Sequence, residues 1–144
     1  MRYVAYAEDV PADGTCMFHS IALPLKTTGK TLRDLVSSYI EDQSSSLMHG
    51  SKISEWIQWE TDLSVERYVA KMRKGMWGGA LEMTILSSLL RTPIFVYGVK
   101  NNLCVQMTEI RPDSSLPSLG QTVPYICLLY VNSNHYMHLR VSKE

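Results

Sequence analysis

Apolar residues recur along this chain with two different periods, a helical one first and a strand-like one after it. Leu32, Leu35, Val36, Tyr39 and Ile40 fall on one helical face. Thr31-Leu32-Arg33-Asp34 before them has the form of a capping box, and Ser44-Ser45-Ser46 ends the run. Ile53, Trp56 and Ile57 predict a short second helix. Ser64 can cap a third over residues 65–74, where Val65, Tyr68, Val69 and Met72 form one stripe and Gly75 is the stop. Gly78-Gly79 interrupts the pattern. From Ala80 to Leu90 it resumes as a strongly apolar helix, with Leu81, Ile85, Leu86 and Leu89 spaced for burial.

The last third changes period. Pro93-Ile94-Phe95-Val96-Tyr97 is β-branched and aromatic, Lys100-Asn101-Asn102 is a turn, and Leu103 to Ile110 alternates as a strand does. Arg111 to Pro124 is dense in Pro, Gly, Ser and Asp and reads as a long surface loop. Tyr125 to Val131 reads as a buried strand, and Asn132-Ser133-Asn134 as a tight turn into a strand from His135 to Val141. Helices followed by a meander of strands predict an α+β domain with an antiparallel sheet.

Composition narrows the function classes. A chain of 144 residues, 45% hydrophobic and 19% charged, is one globular domain over residues 1–144 rather than a disordered segment. Lys plus Arg and Asp plus Glu both number 14, so the basic excess of a general nucleic-acid binder is missing. The longest apolar run, Tyr125 to Val131, is about a third of a membrane span, so no membrane association is expected. The N-terminus turns acidic at Glu8-Asp9 where a signal peptide would turn apolar, and a cytoplasmic protein is the expectation.

The cysteines number 3, an odd and scattered set that makes a disulfide framework a poor reading and leaves a reactive thiol open. Cys127 lies in an apolar run and Cys104 on a strand; both read as packing. Cys16 differs. It follows Asp13-Gly14-Thr15 and precedes the apolar run Met17 to Ala22, at a loop-to-helix junction. There the helix dipole favours a thiolate and Gly14 lets backbone N–H groups turn toward a developing oxyanion. The competing reading is that Asp13 caps a helix and Cys16 is a small buried hydrophobe. A thiol nucleophile needs a base. His49 sits in a polar turn, and His19 lies on the helix of Cys16, where packing or solvation suits it. His135 opens the last strand directly after a turn, and His138 faces the opposite side of that strand. His135 is therefore the better partner for Cys16. No C-x-x-C or H-x-x-x-H pair supports zinc.

These segments resemble a known family. Asp13-Gly14-Thr15-Cys16-Met17-Phe18-His19-Ser20-Ile21 resembles the cysteine box of the ovarian tumour (OTU) deubiquitinases. Met76-Trp77-Gly78-Gly79-Ala80-Leu81-Glu82-Met83, then Pro93 to Tyr97, resembles the middle motif, and Asn134-His135-Tyr136 the His-Tyr box. The three stand in order over residues 9–141. The resemblance implies a papain-like α+β fold, a central antiparallel sheet flanked by helices, with the catalytic cysteine at a helix N-terminus. It implies a thiol isopeptidase without a metal or cofactor, acting as a monomer. Its partners would be ubiquitin or polyubiquitin, and ubiquitin-like modifiers in some members.

On the same basis Cys16 is the nucleophile, His135 the general base and acid, and Asp13 belongs to the catalytic set, with oxyanion donors from the backbone of residues 13–16. Trp77, Gly78, Gly79, Asn134 and Tyr136 would line the channel for the Arg-Leu-Arg-Gly-Gly tail. For Trp77 a core aromatic is the rival reading; for Gly78-Gly79, a helix start. Linkage preference would reside in the least motif-like stretch, residues 26–59. One position departs from the pattern: many members carry Asn or Asp two residues after the histidine, and here that residue is Met137. The orienting group must come from Asp9, Asp13, Asn132 or Asn134, or the site runs as a dyad. The small size resembles virus-encoded members, which would act on host ubiquitin signalling in the host cytoplasm, or an excised catalytic domain. A catalytically weak ubiquitin-binding module and a polyprotein-processing protease are the alternatives.

Overall fold

A computed structural model describes residues 3–143 of the chain. Met1, Arg2 and Glu144, included in the single-domain expectation, lie outside the described residues. A strand that the hydrophobic pattern does not announce comes first, β1 (Tyr3–Glu8), followed by helices α1 (Cys16–Leu25) and α2 (Gly29–Gln43). A small hairpin of β2 (Leu47–Met48) and β3 (Ser51–Lys52) leads into α3 (Ile53–Thr61), α4 (Val65–Arg73) and α5 (Ala80–Leu90). The strands β4 (Ile94–Lys100), β5 (Leu103–Ile110), β6 (Ile126–Val131) and β7 (His135–Lys143) complete the chain.

The α2 helix starts earlier than the Thr31 box predicts. The cap is Thr28, whose hydroxyl accepts the Thr31 N–H at 3.1 Å. Ser64 caps α4 as expected, by accepting the Arg67 N–H at 3.2 Å. Left-handed backbone forms the two tight turns between strands: Asn101 and Asn102 at φ 53° and 63°, Asn132 and Ser133 at 54° and 57°.

The large sheet runs β1-β7-β6-β4-β5. Its pairs are antiparallel except β4 with β6, which is parallel. This corrects the antiparallel meander that the order of strands predicts. After the β4–β5 hairpin, the long 111–124 connection returns the chain to the other side of β4, so β6 starts from the same end as β4. That connection is anchored rather than loose: Leu116 is fully buried, and the Arg91 guanidinium donates to the carbonyls of Asp113 and Leu116.

One face of the sheet carries the main core. Ile94, Val96, Ile126 and Leu128 pack there against Phe18, Ile21, Val36, Ile40, Met72, Ile85 and Leu86 from the helices. The other face holds a smaller cluster of Cys127, Leu129 and Leu139 with Phe95, Tyr97 and Met137, in which no helix takes part. Cys127 is therefore packing, as its apolar run predicts, while Cys104 lies exposed on the edge strand β5. The α1 helix lies across β6 and β7, which brings its N-terminus to the mouth of the last strand.

Candidate active site

Asp13 holds the turn before α1 at two points. Its carboxylate accepts the Thr15 N–H at 2.8 Å and its carbonyl accepts the Cys16 N–H at 3.1 Å. Cys16 is thereby the first residue of α1, in the positive field of the helix N-terminus. It is 0% exposed, so the buried half of the competing reading holds, while the N-cap of α1 is Thr15 and Asp13 instead shapes the turn before it. What decides between packing and chemistry is what meets the thiol.

The backbone of Tyr136 lies close enough to the Cys16 thiol to favour its anion, as does that of Met17. The thiol thus lies beside the first residues of β7. Burial nevertheless pushes the Cys16 thiol up from its ordinary value, with the Asp13 charge adding to the rise. That direction favours the thiol over the thiolate, so attack calls for a base to remove its proton.

That base stands next to Tyr136. His135 Nε2 lies 2.9 Å from Asp9 Oδ1, and its Nδ1 is buried with no hydrogen-bond partner among the described residues. A carboxylate can only accept, so the contact places a ring proton on Nε2, and in the neutral ring Nδ1 then carries the lone pair. The free nitrogen is the one able to take a proton. In return, His135 holds the Asp9 carboxyl below the usual carboxylate range.

Asp9 replaces what Met137 cannot supply. The antiparallel ladder pairs Glu8 with His138, so the next residue of the chain, Asp9, falls opposite Met137. A carboxylate just past the end of β1 thus bonds His135, where the family pattern has one two residues along the histidine's own strand. Among the four candidates, Asp9 is the one bonded to His135; the Asp13 carboxylate is engaged with Thr15 and lies 3.5 Å from His19. Asn132 and Asn134 are exposed turn residues, with Asn134 N–H closing the turn onto Val131. His138 lies on the other face, 2.8 Å from Glu8.

The segment before α5 forms the neighbouring wall. Trp77 is 51% exposed, which removes the core-aromatic reading. Gly79 is the N-cap of α5, and its N–H goes to Glu82 Oε1 at 2.8 Å, so the helix-start reading holds for Gly79. Glu82 itself is buried and accepts from the Tyr68 hydroxyl; burial pushes its carboxyl up. Gly78 lies against Met17 and Phe18. Tyr136 turns its ring onto Tyr130, with centroids 4.6 Å apart, and its hydroxyl is pushed up by burial, with the Tyr130 and Cys16 charges adding to the rise. Among the described residues no three His, Cys, Asp or Glu side chains converge as a metal-binding set.

Sequence reasoning misses Arg33, Glu82 and the Tyr68 partner of Glu82. Arg33 carries a readable signal, since it sits on the same helical stripe as Leu32, Val36 and Ile40, where a charge is out of place. Gly14 also proves tighter than expected: a Cβ there would run into the Gly75 carbonyl. Backbone cannot swing away as a side chain can, so Gly14→Ala should cost about 1–3 kcal/mol in urea unfolding, as overpacking does. Turnover should fall further than that stability loss explains, because the loop bearing Cys16 shifts.

A thiol at the N-terminus of a helix packed against β7, and a histidine opening that strand with its ring bonded to a carboxylate, are the residue types a cysteine hydrolase uses. Residues 11–136 match the OTU-like cysteine protease family, and the chain belongs to it. Comparison with curated protein sequences finds no match. The fold is similar to that of the Hazara virus OTU, solved bound to ubiquitin, with TM-score 0.69 and 21% identity over 97% of this chain and 83% of that one. It is equally similar to the Qalyub virus OTU domain protease (TM-score 0.69, 20% identity, 96% and 90% coverage). A Wolbachia pipientis OTU deubiquitinase, also bound to ubiquitin, matches with TM-score 0.62 and 15% identity over 94% and 95%.

Proposed function

We propose that this OTU cysteine protease is a deubiquitinase that hydrolyses the isopeptide bond after the ubiquitin C-terminal Gly-Gly. The observations that support the reading are the buried Cys16 thiol at the N-terminus of α1, the Tyr136 backbone close to it, and the adjacent His135 held by Asp9 through Nε2. The ubiquitin complexes of the Hazara virus and Wolbachia proteins support the choice of substrate.

The chemistry follows from the geometry. As Cys16 Sγ attacks the glycine carbonyl, its proton passes to His135 Nδ1, and Asp9 stabilises the resulting imidazolium. The same proton then goes to the departing lysine amine, leaving a thioester on Cys16 that water hydrolyses with His135 again as base. Of the oxyanion donors expected from residues 13–16, the N–H groups of Thr15 and Cys16 are already bonded to Asp13. Those of Asp13 and Gly14 are the better donors to the developing oxyanion. Asp13 thereby serves as the shaper of the loop rather than as the acid of a triad. The exposed Trp77, with Gly78, lines the approach of the narrow Gly-Gly tail.

A fluorogenic amide of the ubiquitin C-terminus tests this directly. The wild-type chain should release the fluorophore, and a ubiquitin probe with a thiol-reactive terminus should label Cys16. Labelling without turnover would instead identify a binding module that has lost catalysis; neither labelling nor turnover would exclude ubiquitin as the substrate.

A further inference from the structure

Two segments far apart in sequence wall the Cys16 site, and one buried cation ties them together. Arg33 on α2 is 4% exposed. Its Nη1 donates to the carbonyls of Met72 and Met76, each at 2.7 Å. Its Nη2 donates to the Gly14 carbonyl at 2.8 Å and to Thr15 Oγ1 at 3.1 Å. The Phe18 ring lies 4.8 Å from the guanidinium carbon. Glu82, Asp13 and Asp34 contribute charge from a distance; the hydrogen-bonded acceptors are all uncharged.

Burying a guanidinium is expensive, and a well-packed apolar side chain commonly serves stability as well or better. What an apolar side chain cannot do is hold two backbone segments at a set spacing with a planar fork. Here one arm of the fork grips the end of α4 and the turn to Trp77, and the other grips the loop that leads to Cys16.

We infer that Arg33 is a positioning residue for the reaction, one that aims the oxyanion-binding N–H groups of the cysteine loop by gripping Gly14 and Thr15. The aim follows from peptide planarity. Drawing the Gly14 carbonyl toward Arg33 turns the Thr15 N–H the opposite way, onto the Asp13 carboxylate. The preceding plane then has its carbonyl on Cys16 N–H and presents the Gly14 N–H outward. Arg33 touches neither substrate nor thiol in this scheme. The inference rests on the hydrolase reading above, and its test separates the two.

The test compares wild type, Arg33→Lys and Thr15→Val in the full chain. Hydrolysis of the ubiquitin C-terminal amide needs the oxyanion donors; alkylation of Cys16 by iodoacetamide needs only the sulfur. In Arg33→Lys, kcat should fall about a hundredfold, the scale of an ångström-level misplacement, with KM nearly unchanged. The rate and pH profile of Cys16 alkylation should stay near wild type. Thr15→Val, which removes one of the fork's acceptors and leaves the core untouched, should lower kcat by about threefold with alkylation again unchanged. Equal losses in alkylation and hydrolysis would reduce Arg33 to a structural residue and overturn the inference. Wild-type kcat in a folded Arg33→Lys would do the same. If Arg33→Lys fails to fold, unchanged kcat in Thr15→Val overturns it. A silent wild type would instead sink the hydrolase reading, and this inference with it.

Discussion

Cys16→Ala will fold as the wild type does and show no turnover, while Cys104→Ser and Cys127→Ala will both remain active. Cys104 is exposed and bonded to nothing in the site, so its replacement should leave stability and rate alone. Cys127 packs against Leu129 and Leu139, and truncation there should cost about 1–2 kcal/mol without touching chemistry. Urea unfolding followed by amide hydrolysis separates the cases. Because burial pushes the Cys16 thiol up, alkylation of Cys16 should be slow in mild acid and climb through and beyond the ordinary thiol range. A plateau reached well below neutrality would show a resting thiolate and contradict the proton transfer drawn above. Probe labelling that maps to Cys104 would remove Cys16 from its role.

His135→Ala should be equally silent, and Asp9→Asn intermediate. In serine triads, losing the orienting acid costs up to about ten-thousandfold. A thiol is more acidic than a serine hydroxyl, so about ten- to hundredfold in kcat is expected here. His138→Ala should keep most of the turnover, since that ring bonds Glu8 on the other face of β7. Met137→Asn should be close to neutral, because Asp9 already fills the place it would serve. The pH dependence has a definite sign. The Asp9 carboxyl is held below its usual range by His135, so its help is present at and above the ordinary carboxylate range. That help is lost only as pH falls through the lowered value. A wild-type acid limb identical to that of Asp9→Asn, or equal kcat in the two, would show that the contact at 2.9 Å does not assist turnover.

What is legible in the sequence is whatever its chemistry writes locally. The turn of Asp13 to Cys16 needs only adjacent residues, as does the Asn132–Ser133 turn that delivers His135, and both can be placed from the residues themselves. The helices of residues 64–90 announce themselves by stripes and stops. Asp9 can be proposed but not ranked, because its position depends on β1 pairing with a strand more than a hundred residues away. Tyr3 to Glu8, with two alanines and an exposed Tyr6, lacks the β-branched alternation that marks a strand. The parallel β4–β6 pair is hidden for a similar reason, since nothing in the 111–124 connection states on which side of β4 it returns. Arg33 is masked by the capping-box pattern, where a charge is ordinarily solvent-facing, although its place on the apolar stripe marks it.

Among the described residues the strand β1 pairs with β7 on one side only, and the carboxylate bonded to His135 hangs just past its end. Edge segments of this kind open at a lower free-energy cost than the core of the same domain. The nucleophile and the base are rooted in α1 and β7, beneath the main core; the acid is not. Catalytic strength is thus set by how firmly a peripheral ribbon is zipped, and a ligand that adds a strand to its free side would act as an activator without approaching the thiol. On warming, the enzyme should slow in one step and unfold in another, the carboxylate leaving while the thiol and imidazole still stand in place.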